Sequence, residues 1–282
     1  DDQLVLSSEV GVLEIDPAKI VVKERLRPGR MLLVDTVNGK LIDDDELKES
    51  YATRKPYGEW LNNNLVNLKD IHIPNVKVET YEKEERQRLQ KNFGYSFEDL
   101  QRIIPMANTG NEATKAMGKD TPLAVLSERT HPLFNYFKQL FAQVTNPPID
   151  AIREQIVTST YTLFGCEQNL LTSSELNCRK VRALSPILTN KELEKLRNID
   201  LEGFKSITIP SLFNVKQEND METAMDTIFE AADIAIENGY NIIILSDKGV
   251  DKDKAPIPAL LVASGLHHHL IRKGTRMKVS IV

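Results

Sequence analysis

The run 241–245, Asn-Ile-Ile-Ile-Leu, constrains the fold of this chain more than any other stretch. A strand formed here has no face suited to water, so it belongs in a parallel sheet that is covered on both sides. Helical periodicity flanks the run at 221–237 and 258–272, and strand-like runs lie further out at 204–209 and 277–282. This alternation predicts a right-handed parallel βαβαβ unit.

Capping signals predict where several helices begin and end. A Ser, Thr or Asn followed three residues later by an acidic residue is typical of a helix start. Such pairs are Ser96 with Asp99, Thr189 with Glu192, and Asn219 with Glu222. We expect Gly239 and Gly274 to end the last two helices, and Pro105 to end the helix that follows Ser96 at Ile104.

The stretch 117–150 divides two kinds of sequence pattern. A short apolar run at 123–126 leads into a predicted helix whose core-facing side is expected to carry Leu133, Phe134, Phe137, Leu140, Phe141 and Val144. Pro147 and Pro148 cannot continue a helix, so residues 143–150 are predicted to form an extended, rigid loop.

Length and charge exclude several classes of function. A chain of 282 residues with 41% hydrophobic residues is long enough for about two domains with a sizeable core. The net charge of -5, without a dense basic cluster, argues against a nucleic-acid partner. No apolar stretch reaches the ~20 residues that a membrane span needs. Cys166 and Cys178 predict isolated reduced thiols, typical of a cytosolic protein.

The first 45 residues predict an antiparallel β end piece. Short β-type runs at 10–13, 20–22 and 31–34 are separated by turn signals, of which Asn38-Gly39 is a strong hairpin signal. The piece has too few strands to close a core, so we expect it to complete a sheet supplied by sequence outside this chain. An opening without methionine and an apolar strand at the end also fit a piece of a longer polypeptide.

Helical periodicity replaces the β pattern over residues 46–118. The charged run 82–91 predicts a helix that is mostly exposed to water. We therefore interpret this region as a helical linker between two sheets, and the charged run as a solvated face.

The loop Ser246-Asp247-Lys248-Gly249 follows the predicted central strand. Ligands of a doubly wound sheet bind at the carboxyl ends of its strands, so a phosphate or flavin pocket could lie here together with Pro210 and Ser211. The alternative is an ordinary loop of turn residues. No G-x-G-x-x-G or Walker A sequence occurs in the chain, which favours the turn.

Two clusters suggest metal sites but have simpler interpretations. Consecutive residues on a helix point about 100° apart, so His267, His268 and His269 cannot converge on one ion, and structural histidines are preferred. The acidic run 43–45 could bind a cation, but a solvated turn with helix-start acids is the stronger alternative. His131, beside Pro132, is interpreted as a hydrogen-bonding group at a helix start.

The first 61 residues contain a series of short motifs, which are Ser7-Ser8-Glu9-Val10-Gly11, Arg25-Leu26 with Pro28-Gly29, Met31 to Asp35, Gly39 with Ile42, Asp44 and Glu46-Leu47-Lys48, and Pro56-Tyr57 with Trp60-Leu61. Together they resemble the closing strands and helical exit of the glutamine amidotransferase domain in the large subunit of glutamate synthase. The family's nucleophile is an N-terminal cysteine, and no residue here corresponds to it.

Motifs further along resemble the central domain of the same family, in the same order. They are 110–113 (Gly-Asn-Glu-Ala), 117–127 from Met117-Gly118 to Ser127, and 143–150 (Gln-Val-Thr-Asn-Pro-Pro-Ile-Asp), with Arg153-Glu154 beyond. The sequence departs from the family pattern at 158–160 and 166–168. These departures concern local loop geometry.

These observations predict an α/β fold with a parallel, doubly wound (flavodoxin-like) central domain, preceded by an antiparallel β end piece and a helical linker. We expect residues 1–60 to be the C-terminal part of the amidotransferase domain, 61–116 the linker, and 117–282 the central α/β domain.

The resemblance implies the activity of a parent enzyme that is located in the cytoplasm, or in the plastid of a plant or alga. The parent hydrolyses glutamine, channels ammonia, and condenses it with 2-oxoglutarate by flavin-dependent reductive amination. The resemblance also implies that FMN and an iron–sulfur cluster are bound by residues beyond Val282. It implies no cofactor and no catalytic residue in this fragment. The implied partners are the amidotransferase and flavin-binding domains of the same chain, and an electron-donating subunit or ferredoxin. Neither a nucleic acid nor a membrane is an expected partner.

We expect this piece to space and insulate two reaction sites. Ammonia is largely protonated in water near pH 7 and is then no nucleophile, whereas a dry channel disfavours the charged form. Thr145 and Asn146, two small polar residues beside the double proline, are the candidates that line the channel. The alternative for these two residues is a loop that only ends a helix.

Two other functions are weighed against the spacer. A stand-alone flavodoxin-like module would bind FMN tightly when isolated. A hydrolase would use Ser246 and Asp247 with a nearby histidine, but the sequence contains no nucleophile-elbow motif.

Overall fold

A computed structural model of the chain describes residues 3–72, 80–110, 125–128, 131–137, 148–218 and 220–282. The chain divides into two compact units, Asp1–Glu59 and Trp60–Val282. None of the helices in these described ranges is both long and apolar enough to span a membrane.

Among its described residues, the first unit contains a 3₁₀-helix (Pro17–Lys19), a hairpin and one complete α-helix. Strands β1 (Leu33–Asp35) and β2 (Lys40–Ile42) pair antiparallel, and helix α1 (Asp44–Ala52) follows them. Asp35 accepts hydrogen bonds from the backbone of Val37 and Asn38 inside the turn, and Gly39 has a left-handed φ of 62°. The hairpin predicted at Asn38-Gly39 is therefore confirmed.

Two other predicted strands of this unit are wrong. The runs 10–13 and 20–22 form no strand, and their side chains are exposed. A β-type sequence becomes a strand only when a neighbouring strand completes its hydrogen-bond ladder, and the described residues supply no such neighbour to either run.

The remaining helices and strands follow in chain order. The helices are α2 (Tyr57–Asn64), α3 (Lys83–Asn92), α4 (Phe97–Thr109), α5 (Ala151–Val157), α6 (Asn190–Arg197), α7 (Asp220–Glu237) and α8 (Ala259–Arg272). The strands are β3 (Leu65–Asn67), β4 (Thr162–Phe164), β5 (Lys180–Ala183), β6 (Ser206–Pro210), β7 (Leu212–Asn214), β8 (Ile242–Ser246), β9 (Lys254–Pro256) and β10 (Ser280–Ile281). As predicted, α3 has no buried residue.

Strands β6, β8 and β10 form a parallel sheet with β8 in the middle, which confirms the predicted parallel strand–helix alternation. The last strand is shorter than predicted because a 3₁₀-helix, Arg276–Lys278, comes first. Its ladder nevertheless continues, since the amide of Val282 donates to the carbonyl of Ile243.

Pro210 ends β6 at the edge of the described sheet. The amide of Ser211 donates to the carbonyl of Ser246 in β8. Because backbone groups alternate in direction along a strand, the nitrogen of Pro210 points to the opposite, unpaired edge. A proline is tolerated there because no ladder hydrogen bond is lost.

The parallel sheet is covered on both faces, as its apolar central strand predicts. Ile243 packs with Ala232 of α7 and Leu266 of α8 on one side. Ile242 and Ile244 point the other way and pack with residues of the three-stranded sheet β3–β5–β4 and of α6. The fold is thus mixed α/β with parallel and antiparallel sheets, and one face of the parallel sheet is covered partly by a second sheet.

Four of the helix ends that were predicted from local signals are confirmed. Both capping-box hydrogen bonds form at Ser96 and at Thr189. At the end of α7, Gly239 donates to the carbonyl of Ile236 and Tyr240 to that of Ala235, which is the Schellman pattern. The end of α8 at Gly274 repeats it. Asn219, the predicted cap of α7, lies outside the described residues.

The predicted helix end at Pro105 is wrong. Helix α4 continues through this proline to Thr109 and ends at Gly110, which has a left-handed φ of 68°. A proline removes one N–H donor, and an exposed helix can continue past that loss until a residue suited to the left-handed conformation ends it.

The stretch 117–150 is described only in part. Residues 125 and 126 form an exposed turn, and Leu133–Phe137 form a 3₁₀-helix. Phe134 and Phe137 are exposed instead of core-facing. A 3₁₀-helix has three residues per turn, so an i, i+3, i+4 pattern does not align on one side of it. Leu140, Phe141, Val144 and Pro147 lie outside the described residues.

Candidate functional site

The carboxyl ends of β6 and β8 are closed by backbone pairing. Ser211 donates from its amide to the carbonyl of Ser246 at 2.8 Å and accepts from the amide of Ile257 at 2.9 Å. Ser211 and Ile257 are buried. The antiparallel strands β7 and β9 pair directly beyond them. The edge where a doubly wound sheet would hold a ligand is therefore occupied by protein backbone in this region.

The loop 246–249 has the hydrogen bonding of a turn. The hydroxyl of Ser246 accepts from the amide of Lys248 at 3.4 Å. Beyond it, Asp251 accepts from the amides of Asp253 and Lys254, and these bonds lower the pKa of the Asp251 carboxyl. The polar groups of the loop thus organise its own backbone, which supports the turn interpretation over a phosphate pocket.

Two of the three consecutive histidines, His267 and His269, bind protein groups on different elements. The Nε2 atom of His269 lies 2.9 Å from Asp233 of α7, and its ring stacks on Phe229. The Nδ1 atom of His267 accepts from Arg276 at 2.9 Å. These bonds connect α8 to α7 and to the 3₁₀-helix that precedes the last strand. The described residues contain no group of three or more potential metal ligands.

The acidic run at the start of α1 has two exposed members, Asp43 and Asp45, and one buried member, Asp44. Asp43 caps the helix by accepting from the amide of Glu46 at 2.8 Å. Asp44 is only 7% exposed and accepts from Arg30, Lys48 and the amide of Met31. The expectation of a fully solvated acidic turn is therefore wrong for Asp44, since basic side chains and an amide fold over it.

Lys180 is a buried cation that the sequence pattern does not reveal. It is 3% exposed, and its Nζ atom lies 2.7 Å from Oε1 of Glu167, 2.8 Å from the carbonyl oxygen of Cys166 and 3.5 Å from that of Gly165. A lysine in a strand of alternating character gives no signal of burial, because its surroundings depend on contacts distant in sequence.

The loop 165–168, which we call the joint, is bonded to two sheets. Lys180 of β5 holds it from one side. From the other side, the amide of Gly165 donates to the hydroxyl of Ser280 at 2.9 Å, and the amide of Glu167 donates to the carbonyl of Met277 at 2.7 Å. Ser280 begins β10, so the joint ties the β3–β5–β4 sheet to the parallel sheet.

Gly165 fits the joint because it has no side chain. Its φ is 122°, and a Cβ atom there would lie 3.1 Å from the ring of Phe204 and 3.3 Å from the carbonyl oxygen of Arg179. Both the backbone conformation and the lack of space therefore favour glycine at this position.

The two cysteines are free thiols, as predicted. The Sγ atom of Cys166 lies 3.5 Å from the carbonyl oxygen of Met277 at the joint. Burial raises the pKa of the Cys166 thiol, and the nearby Lys180 opposes that shift only in part. The thiol form suits a structural cysteine rather than a nucleophile.

Thr145 and Asn146, the candidate channel residues, lie outside the described residues. The prediction that they line a channel therefore stays a prediction. His131 lies next to the 3₁₀-helix Leu133–Phe137 and is half-buried.

Comparisons with protein families cover both ends of the chain. The family model for the glutamate synthase central domain matches residues 88–282. The model for class-II glutamine amidotransferases matches residues 1–60.

Curated relatives match the chain over its whole length. It is 47% identical to the glutamate synthase [NADPH] large chain of Bacillus subtilis, covering 100% of this chain and 18% of the relative. It is 40% identical to the chloroplastic ferredoxin-dependent glutamate synthase 2 of Arabidopsis thaliana, covering 100% of this chain and 17% of the relative. The glutamate synthase [NADH] of Schizosaccharomyces pombe is 38% identical over 100% of this chain and 14% of its own length.

The chain thus spans less than a fifth of the length of these curated relatives. Their shared identity as glutamate synthases favours the interpretation as part of that enzyme over a stand-alone flavodoxin-like module. The order of the two matched family models is the order that the sequence motifs predict. By the match of residues 88–282 and by relatives along its whole length, the chain belongs to the glutamate synthase central-domain family.

Proposed function

We propose that this chain forms the central, spacing part of a glutamate synthase large chain. The parent enzyme would make two glutamates from glutamine and 2-oxoglutarate, by glutamine hydrolysis, ammonia channelling and flavin-dependent reductive amination. The observation that carries the proposal is the collinear match of an amidotransferase model and a central-domain model within one chain. This reaction assimilates ammonia into amino acids.

The partners in this proposal are the amidotransferase and flavin-binding domains of the same polypeptide, together with an electron donor. The names of the relatives include NADPH, NADH and ferredoxin, so the donor is either a pyridine-nucleotide subunit or ferredoxin. Chloroplastic enzymes occur among the relatives. We therefore place the parent in the cytoplasm, or in the plastid for a plant or algal source.

The proposed domains are 1–60 for the end of the amidotransferase domain, 61–116 for the helical linker, and 117–282 for the central α/β domain. A compact unit that ends at Glu59 supports the first boundary. For the central domain we propose a doubly wound, flavodoxin-like arrangement. Helix α6 on one face of the parallel sheet and helices α7 and α8 on the other support it.

The residues of this chain do not fit the redox groups that the family implies. Iron–sulfur clusters are usually held by four cysteine thiolates, or by two cysteines and two histidines. The chain has two cysteines, Cys166 and Cys178, and its described residues contain no group of three or more potential metal ligands. At the carboxyl ends of β6 and β8, where a doubly wound sheet would hold its ligand, Ser211 and Ile257 are buried and paired through their backbones. We therefore assign FMN and the cluster to other parts of the parent.

The proposed role of this chain is to keep a path for ammonia dry and of fixed length. Ammonia reacts as a nucleophile only when unprotonated, and a low-dielectric channel disfavours the charged form. Closely packed protein between two sites also prevents the loss of the intermediate to water. The two hydrophobic clusters on either side of the parallel sheet support this proposal, because they make this part of the chain closely packed.

Within this role, Thr145 and Asn146 are proposed to line the channel. The test replaces Thr145 by Trp in the full-length enzyme and measures glutamine hydrolysed per 2-oxoglutarate reduced. We expect this ratio to rise in Thr145→Trp, because the bulky ring blocks passage, and to stay at the wild-type value in the matched control Thr145→Ser. Equal rates of the two half-reactions in folded Thr145→Trp would overturn the assignment.

A further inference from the structure

We propose that Lys180 is a positioning residue, which holds the joint 165–168 between the two sheets and thereby keeps the two half-reactions of the parent enzyme coupled. This inference rests on the proposed function. In that function Lys180 contacts no substrate and acts through the backbone of the joint.

Lys180 carries a buried charge that is bonded to the joint. The side chain is 4% exposed, whereas its partner Glu167 is 45% exposed. The ammonium also donates to the carbonyl of Cys166 at 2.8 Å. Removing one member of a buried charged network leaves the other polar groups without their partner, which is costly. An uncharged residue at position 180 therefore releases the joint.

The backbone of the joint is bonded by a side chain from each of the two sheets, Ser280 from one and Lys180 from the other. Ser280 binds Gly165 twice, accepting from its amide at 2.9 Å and donating to its carbonyl at 3.1 Å. Lys180 binds the same loop from β5. The loop thus sets the separation between β5 and the start of β10. A displacement of the joint caused by a change at Lys180 is therefore expected to move the start of β10 as well.

This connection matters for coupling because a channel tolerates little movement of its walls. When packed elements shift, a passage of fixed width either narrows or admits water, and ammonia is then trapped or protonated. Lys180 belongs to the sheet that packs on one face of the parallel strands, and its neighbour Val181 shares a hydrophobic cluster with Ile244. Loosening the joint is therefore expected to reduce the transfer of ammonia between the two reaction sites and to leave the binding of glutamine unchanged.

The test uses Lys180→Met in the full-length enzyme, with glutamine hydrolysis and 2-oxoglutarate reduction measured together. The wild type is expected to show matched rates. In Lys180→Met the ratio of hydrolysis to reduction should rise at least about twofold, as ammonia escapes into water, while the KM for glutamine stays unchanged. A merely structural role would lower both rates together and leave the ratio constant.

Lys195→Met is the matched control. Lys195 also donates to backbone carbonyls, those of Leu68 and Lys69, but it does not contact the joint. Its replacement is expected to leave the ratio at the wild-type value. A rise equal to that in Lys180→Met would show that any loss of a carbonyl-bonded lysine uncouples the enzyme, and would overturn the assignment.

Ser280→Ala decides the question if Lys180→Met does not fold. This variant removes both hydrogen bonds of Ser280 to Gly165 while retaining the lysine. In Ser280→Ala the ratio of glutamine hydrolysis to 2-oxoglutarate reduction should also rise. An unchanged ratio in folded Ser280→Ala would overturn the inference. If Thr145→Trp uncouples the enzyme and neither joint variant does, only the role of Lys180 fails. If the wild-type enzyme shows no glutamine-dependent reduction of 2-oxoglutarate, the proposed function itself fails.

Discussion

The carboxylate of Asp44 lies 2.8 Å from the ammonium of Lys48, one turn further along α1. Arg30 contacts the same carboxylate at 2.7 Å, and the amide of Met31 donates to its other oxygen. Asp44 therefore joins the chain before the hairpin to the helix after it. These bonds, with that of Lys48 the largest contribution, lower the pKa of Asp44 from its usual 3.8 to about 2.

Acid is predicted to loosen the start of α1 through this group. Because the pKa is lower in the folded chain than in the unfolded one, Asp44 contributes stability above its usual pKa, and this contribution is lost as the pH falls toward 2. The measurement is amide hydrogen exchange at Met31. Protection should decrease over this pH range in the wild type and be lost at neutral pH in Asp44→Asn.

Asp45→Asn is the control for that prediction. Asp45 also contacts Arg30, but its side chain is 88% exposed, so its bond is screened by water. Protection of Met31 should change little in this variant. Equal loss of protection in both variants would contradict the role given to Asp44.

Leu266→Ala is predicted to destabilise the second unit strongly. Leu266 is fully buried between α8 and the parallel sheet. Truncating such a leucine removes buried apolar surface and leaves a cavity, at a cost of about 2–5 kcal/mol. Urea denaturation measures the free energy of unfolding. In the same helix, Leu260 is 43% exposed, and Leu260→Ala should change this energy by no more than about 0.5 kcal/mol.

Gly265 permits the close approach of α7 and α8. A Cβ atom at this position would lie 2.4 Å from the terminal methyl of Met225 and 3.1 Å from the ring of Phe229. Gly265→Leu is therefore expected to lower the free energy of unfolding by about 1–3 kcal/mol through overpacking.

A double variant distinguishes overpacking from a change in helix propensity. In Gly265→Leu combined with Met225→Ala, the space freed by the methionine should recover part of the lost stability in denaturant unfolding. Strictly additive effects of the two substitutions would show that Met225 does not limit the space, and would contradict this account.

Features set by neighbouring residues could be predicted from the sequence. The hairpin at Asn38-Gly39, the capping boxes at Ser96 and Thr189, and the helix end at Gly239 each depend on hydrogen bonds within a few residues. The parallel sheet was predictable because the apolar run of β8 has no face suited to water.

Features set by distant contacts could not be predicted in this way. The runs 10–13 and 20–22 have β-type sequences but lack a described neighbouring strand, so local propensity alone misleads. The burial of Lys180 depends on Glu167 and on carbonyls in a loop of irregular sequence. Likewise, Asp44 resembles its exposed neighbours in sequence and differs only through Arg30 and Lys48.

The most direct test of the central claim follows the nitrogen itself. Full-length enzyme is supplied with glutamine labelled in its amide nitrogen, carbon-labelled 2-oxoglutarate and an excess of unlabelled ammonium. An insulated path predicts that the glutamate formed from 2-oxoglutarate carries the amide label undiluted by the medium. Dilution of the label in proportion to the added ammonium would contradict the claim that this chain spaces and insulates the two sites.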